Sequence, residues 1–473
     1  MKNQKLNLIG AAILSFFWVI FLWNFWDKGI FALGLNAAIF LFSLLALFIF
    51  NLYQKTSYTK QDLFWLLPII LIITSFTLYE NPFLKTVNLL VLPILFAVFY
   101  NQAFLSNKKT IHWNFKFILL IIERFFSFFK KIGEASIAYV NLIIPNEKTK
   151  KQTTAKIIGG IFLFLLLALT VFIPLLSSAD ALFASKVQFI YDLFLNVVSL
   201  PVVYKILTFI ALAIFFVSVL IAWSKNFVYQ EEGSVEKKID PIIPGIILSG
   251  VLLLYLLFLW IQLSRLWVGT LPFDFKETEG LVKSGFWQLF FLSIINILIY
   301  FFTYRKTTAW VQKLLTIFTF ASLFLLISAA YRMGLYVIYY GLSYEKFFAS
   351  YTVVFCTVIF IWLIIQLFIK KRANILKFLV FLFLWMYALL TVLPIEQFIL
   401  RGNVALSKSA ESRINLPELT MLSPDVLSLV KKYQKQGILD KQEFNWQPWL
   451  ERQEKILLEK NWYEVNLSNL FNY

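Results

Sequence analysis

Histidine and cysteine are nearly missing from this chain: His112 and Cys356 are the only ones in 473 residues. One thiol forms no intrachain disulfide and says nothing about redox compartment. Transition-metal centres draw on His and Cys ligands, so a resident metal site has no ligand set in this composition. A serine nucleophile with a histidine base has only His112 to use, and no glycine-rich phosphate cradle is present. No cofactor is expected. Charge is scarce too: charged residues make up 15% of the chain and hydrophobic ones 60%, where a soluble domain carries roughly 25% charged residues.

What the chain has instead is eleven apolar runs with no charged side chain between their ends: residues 7-26, 30-50, 63-79, 86-103, 157-177, 206-223, 242-264, 284-304, 314-331, 347-369 and 378-395. A helix rises about 1.5 Å per residue, so about twenty residues cross a hydrocarbon layer of about 30 Å. Helices apolar on all sides have little use in a soluble core. The expected fold class is all-α: a polytopic helical membrane protein of about eleven transmembrane helices, with interfacial helices and a small mainly helical C-terminal segment. Lys2 and Lys5 ahead of the first run imitate a secretion signal. That run is too long for one and ends in Trp23, Phe25 and Trp26 where a peptidase wants small residues, so it reads as a retained anchor. Pro68, Pro93 and Pro174 mark either kinks or broken helices whose freed backbone groups bind substrate.

Orientation follows from loop charge, because Lys and Arg near span ends stay on the cytoplasmic side. With the N-terminus inside, cytoplasmic segments hold 24 of the 43 basic residues, short outer loops 9 and the C-terminal tail 10. The expected organisation is four spans in residues 1-106, a basic cytoplasmic loop with an interfacial helix in 107-156, a seven-span core in 157-395, and a polar extracytoplasmic segment in 396-473. Within the basic loop, Ile111, Phe115, Ile118, Leu119, Ile122, Phe125, Phe126 and Phe129 recur at helical spacing around Glu123 and Arg124, as in a helix lying at the interface. Residues 181-198, with Lys186 and Asp192, read the same way on the outer side. Net charge is +17, and the excess faces anionic lipid head groups on the cytoplasmic side; no basic block resembles a nucleic-acid reader, so no nucleic acid is expected. In the tail, Ser423 and Pro424 supply a cap and first-turn proline, Gly437 a stop, and a second helix is expected from about Gln447 to Lys460.

Four separated stretches carry a family resemblance: SSADALFA at 177-184, VKSGFWQLFFLSIINILI at 282-299, YRMGLYVIYYGLSYEKF at 331-347 and LPELTMLSPDVLSLV at 416-430. They resemble, in order and over roughly the C-terminal two thirds, a bacterial membrane family known as domain of unknown function four-one-seven-three and its relative four-one-five-three. Lys283 and Lys346 stand where the family pattern has arginine, and Ser343 where it has threonine. Such changes keep charge but lose bidentate hydrogen bonding. The resemblance implies a bacterial multi-pass inner-membrane protein and brings no activity with it.

Five residues are candidates for function, each with a plainer alternative. Asp180 either binds a cation or substrate at an outer mouth or caps the helix that follows it. Arg332, among Tyr331, Tyr336, Tyr339 and Tyr340, either holds an anionic head group, a carboxylate or backbone carbonyls, or snorkels within a tyrosine belt. Lys283 opens the eighth run beside Asp274, Glu277 and Glu279, whose spacing does not match a calcium loop. Asn296, like Asn36, Asn88, Gln262, Gln288 and Gln366, either lines a pathway or joins helices through hydrogen bonds. No catalytic residue is assigned. The best functional expectation is a non-catalytic sensing, scaffolding or accessory role with a protein partner in the membrane. A transporter or permease for a small solute or lipid comes second, although no ionisable group stands at mid-run to drive one. A membrane enzyme acting on lipid or envelope substrates, built from converging carboxylates, comes third.

Overall fold

The computed structural model describes residues 2–54, 60–106, 115–143, 157–188 except 158, 162, 165, 166, 181 and 184, and then 200–224, 240–266, 275–304, 306–369, 374–409, 412–439 and 445–470. These residues are helical with no strand among them. Six helices are long and apolar enough to cross a membrane, or eight if each of two bent pairs is one span. That is fewer than the eleven expected, for identifiable reasons. Over the described side chains, runs 63-79 and 284-304 count only as the apolar stretches Asp62–Leu78 and Trp287–Thr303 of the longer helices Lys60–Leu78 and Phe275–Thr303, and the first and last runs break, by 56° and 68°. At the last break Pro394, which has no N–H to continue a helix, stands just before Ile395. Run 157-177 falls partly outside the described residues, as does most of the helix expected at 181-198.

The chain divides into two compact units, 1–228 with 458–471, and 229–457. In the first, α1 (Lys2–Phe21), α2 (Leu35–Tyr53), α3 (Lys60–Leu78) and α4 (Pro82–Ser106) pack in sequence, each on the next. Pro68 and Pro93 lie inside continuous helices, so they break nothing. The break after α1 is held by Asn36, whose carboxamide donates to the carbonyls of Phe21 (2.8 Å) and Ala32 (2.9 Å). Those are orphaned helix-end acceptors that need a partner away from water.

A helix forms in the expected stretch as α5 (Phe115–Phe126), followed by a 3-10 turn and α6 (Ile132–Ile143); residues 111–114 lie outside the described residues. Twelve residues reach only about 18 Å, too short to cross. Its charges separate: Glu123 is exposed, while Arg124 is buried and its guanidinium donates to Trp223 O (3.0 Å) at the end of α7 (Leu200–Trp223). The Trp223 indole N–H returns a bond to Arg124 O (3.0 Å).

The last residues of the chain strap the end of this unit at which α3 meets α4. Asn36 N–H donates to Tyr463 O (2.8 Å) and Leu35 N–H to Val465 O (3.3 Å), and Asn466 Nδ2 donates to the carbonyls of Phe76 and Tyr79. Glu80, fully buried, pairs with buried Lys85 (3.4 Å) and with Lys460, and accepts from Asn469 (3.3 Å). Glu464 accepts from Asn24 (2.7 Å) and the Asn461 N–H (3.0 Å) and pairs with Lys28 (3.3 Å). Burial alone raises its pKa, but these bonds and Lys28 outweigh burial and hold the carboxyl below its ordinary value. A carboxyl lowered in this way steadies the strap above the ordinary carboxylate range and loses that effect as pH falls through its depressed value.

In the second unit, α8 (Ile242–Leu266), α9 (Phe275–Thr303), α10 (Ala309–Tyr340) and α11 (Tyr344–Ile369) enclose a core of Tyr300, Val311, Leu315, Phe318, Phe360 and Leu363. α12 (Ile375–Thr391) stacks Phe378 on Trp362 of α11 at 3.9 Å. α13 (Ile395–Leu406) turns away at the 68° bend. The polar segment then gives a 3-10 turn capped by Ser423, α14 (Leu427–Lys435), Gly437 with φ +65°, and α15 (Gln447–Leu458). Lys431 pairs with Glu454 (2.8 Å), joining α14 to α15.

Glycine at 34 is a packing requirement, because a Cβ there would stand 2.3 Å from Glu464 O. Gly34→Ala should lower stability by about 1–3 kcal/mol through overpacking and open residues 458–471 to proteolysis. Gly133→Ala, whose Cβ meets nothing within 4 Å, should leave stability unchanged or raise it. Thermal unfolding in detergent with limited proteolysis checks both, and equal behaviour of the two variants would contradict the strap.

Candidate functional site

The end of α10 carries a run of tyrosines and stops at Gly341, whose φ is +72° and whose N–H donates to Val337 O (2.8 Å). A side chain at 341 would be strained by that backbone and would also meet Asn403 Oδ1 at 2.5 Å. The corner from α10 to α11 is fixed from three directions. Lys346 Nζ donates to Tyr340 O (3.1 Å) and Gly341 O (2.9 Å), and lies 4.3 Å over the Tyr336 ring. Asn403 of α13 clasps Leu342, accepting from its N–H (2.5 Å) and donating to its carbonyl (2.8 Å). The Arg413 N–H donates to Tyr339 O (2.9 Å).

These three ties leave a cavity of about 730 Å³ between the corner, α13 and the stretch 413–422. Tyr336, Tyr340, Ile399, Leu419 and Leu422 give it an apolar wall, and Ser343, Lys346, Arg413 and Asn415 a polar one. The motif stretches 331-347 and 416-430 therefore meet in space around one cavity.

A pair of buried carboxyls adjoins it. Glu396 accepts from the Tyr344 hydroxyl with one oxygen, and from the Ser423 N–H (2.8 Å) and hydroxyl (2.5 Å) with the other. The Ser423 hydroxyl in turn accepts from Asp425 N–H. α13 carries Glu396 and Arg401 and leaves the line of α12, so we take the apolar crossing to end at the bend, with Glu396 beyond it. Burial pushes the Glu396 carboxyl up to about 8, the nearby Asp425 carboxylate adds to the rise, and the hydrogen bonds from Ser423 and Tyr344 oppose it.

Of the residues singled out from sequence, Tyr336 lines the cavity. Arg332 lies one turn earlier in α10, half-buried, and is not part of the lining. Asn296 sits inside the helix core, where it accepts from the Tyr255 hydroxyl (2.5 Å) and donates to Ser322 Oγ (2.9 Å), tying α8, α9 and α10 together. In the first unit Asn88 likewise donates to Ser75 Oγ (2.9 Å). Asp180 Oδ1 accepts from the N–H groups of Leu182 (2.7 Å) and Phe183 (3.4 Å), which is capping geometry. Lys283, Glu277 and Glu279 belong to α9, but their side chains, and Asp274 altogether, lie outside the described residues. Sequence reasoning missed Glu396, Asn403, Arg413 and Asp425. Asp425 was within reach, being one of the two acids, with Glu418, inside the 416-430 motif. Among the described residues no three His, Cys, Asp or Glu side chains come together as metal ligands would.

Several helices apolar enough to cross a bilayer, with polar segments folded onto their ends, define a multi-pass helical membrane protein. Within that class the chain belongs to the family described as Domain of unknown function (DUF4153), whose model matches residues 66–433. Of the two related families that the motifs resemble, this is the second. No curated protein and no solved structure matches the chain.

A carboxyl raised in the folded state contributes stability that is complete below its ordinary value, 4.5, and is lost as pH climbs through about 8. The melting temperature in detergent should therefore fall between pH 6 and pH 9. Glu396→Gln, which keeps the shape and removes the proton, should flatten that fall. A wild-type profile that rises over this range would contradict the buried neutral carboxyl.

Proposed function

We propose that this is a bacterial inner-membrane protein of eleven crossings, with its N-terminus in the cytoplasm and its polar C-terminal segment outside, and that its role is non-catalytic: sensing, scaffolding or assisting a protein partner. One observation carries this reading. The segment after Pro394 does not stand apart; its residues form a wall of the 730 Å³ cavity and close the end of α10 through Asn403 and Arg413.

Two further facts support it. Asn296 and Asn88, the polar side chains best placed to line a transport pathway, spend their bonds on neighbouring helices, as interhelical polar residues commonly do. Glu396 and Asp425, two carboxyls of the described residues that come together, are buried and engaged by Ser423 or set beside it. The basic excess of the cytoplasmic loops would rest against anionic lipid head groups.

Two measurements test the proposal. A reporter active only outside the cytoplasm, fused after Tyr473, should be active, and a fusion active only in the cytosol would overturn the layout. Affinity purification from mild detergent should recover one protein in stoichiometric amount; a clean monomer in several detergents would overturn the partner role.

A further inference from the structure

We propose that the cavity at the α10–α11 corner binds one anionic amphiphile, a negatively charged head joined to an acyl chain. The head sits between Lys346 and Arg413, and the chain runs along Tyr336, Leu419 and Leu422. This deepens the sensing role by naming a ligand class, and rests on that role only for what the ligand is for.

Four observations carry it. The volume, about 730 Å³, falls within the roughly 300–1,000 Å³ of small-molecule sites. Among the described side chains the lining holds two cations, Lys346 and Arg413, against one acid, the exposed Glu345, a balance that favours an anion over a cation or a neutral head. Lys346 is already pinned by two carbonyls and a ring face, so little side-chain freedom is lost when a ligand arrives. The remaining wall is apolar, and Met421 stands at it 87% exposed. An unbranched, polarisable thioether at the mouth of the cavity adapts to chains of varied shape.

A small hydrophilic anion would use the two cations and leave Met421 exposed, whereas an amphiphile uses the cations and covers it. The cavity also opens at the end of a 32-residue helix in a tyrosine cluster, the level at which acyl chains meet head groups in a bilayer. Of the two basic residues in the 331-347 stretch, Lys346 and not Arg332 is brought to the cavity by the fold.

The full-length protein is reconstituted into nanodiscs of phosphatidylcholine alone, of phosphatidylcholine with phosphatidylglycerol, or of phosphatidylcholine with oleate, and the lipids it retains are read by native mass spectrometry. One anionic molecule should remain bound while phosphatidylcholine does not. The retained species tells a bilayer lipid from a free fatty acid. Arg413→Gln and Met421→Asp, both on exposed side chains, should each lower retention at least about tenfold, the loss of one favourable charge or the gain of one repulsive charge near a surface. Arg401→Gln, on an exposed residue of α13 that does not line the cavity, should change nothing. The idea is overturned if phosphatidylcholine is retained equally, if neither lining variant loses ligand while its melting temperature stays wild-type, or if Arg401→Gln loses as much as Arg413→Gln. Failure to capture a protein partner would leave these results standing, so the two readings fail separately.

Discussion

A polar group withdrawn from water must find a partner, and in this chain that demand concentrates at the helix ends. Leaving one buried donor or acceptor unmet costs about 1–3 kcal/mol, and the four last carbonyls of every helix begin without partners. An apolar helix seldom supplies the partners for its own last turn. The chain brings them from elsewhere: Asn36 to Phe21 and Ala32, Asn466 to Phe76 and Tyr79, Asn403 to Leu342, Lys346 to Tyr340 and Gly341. Part of the C-terminal segment's polarity, at Asn403 and Asn466, serves to finish apolar helices.

The same demand explains the buried charges. Removing an ion from water is repaid only when geometry and additional hydrogen bonds are good. Glu80 meets two lysines and Asn469, and Arg124 meets a helix-end carbonyl. Such groups define one arrangement of the chain more than they add net stability. Glu396 takes the other course: crowded by burial and Asp425, its carboxyl is held well above the ordinary range, while Glu464, beside Lys28 and hydrogen-bonded by Asn24 and Asn461, is held below it. Alkali therefore loosens the Glu396 contact and acid loosens the strap at Glu464.

Function, in this reading, lives where the motif stretches 331-347 and 416-430 meet. Both contain residues that satisfy corners and residues that face the cavity. Gly341 and Lys346 shape the turn, and Tyr336, Leu419 and Leu422 give the wall. A corner rigidified by Asn403 and Lys346 keeps its cavity without help from a ligand, and a preformed site binds at lower entropic cost.

The helical class, the membrane setting and the amphipathic α5 were legible in the sequence, because uninterrupted apolar length and helical spacing are one-dimensional signals. The caps at Ser423 and Pro424 and the stop at Gly437 were legible for the same reason. Span number was less legible: among the described residues six to eight helices are long and apolar enough to cross, because hydropathy registers an apolar run but not the bend at Pro394. Tertiary structure alone decided which polar residues matter. Asn296 and Asn403 look alike in a sequence, yet one joins core helices and the other clasps the corner of a cavity. Pairings across tens or hundreds of residues, Glu396 with Ser423 or Glu80 with Lys460, leave no local periodicity to read. They exist because packing first removes the water, and only then does each buried charge require its particular neighbour.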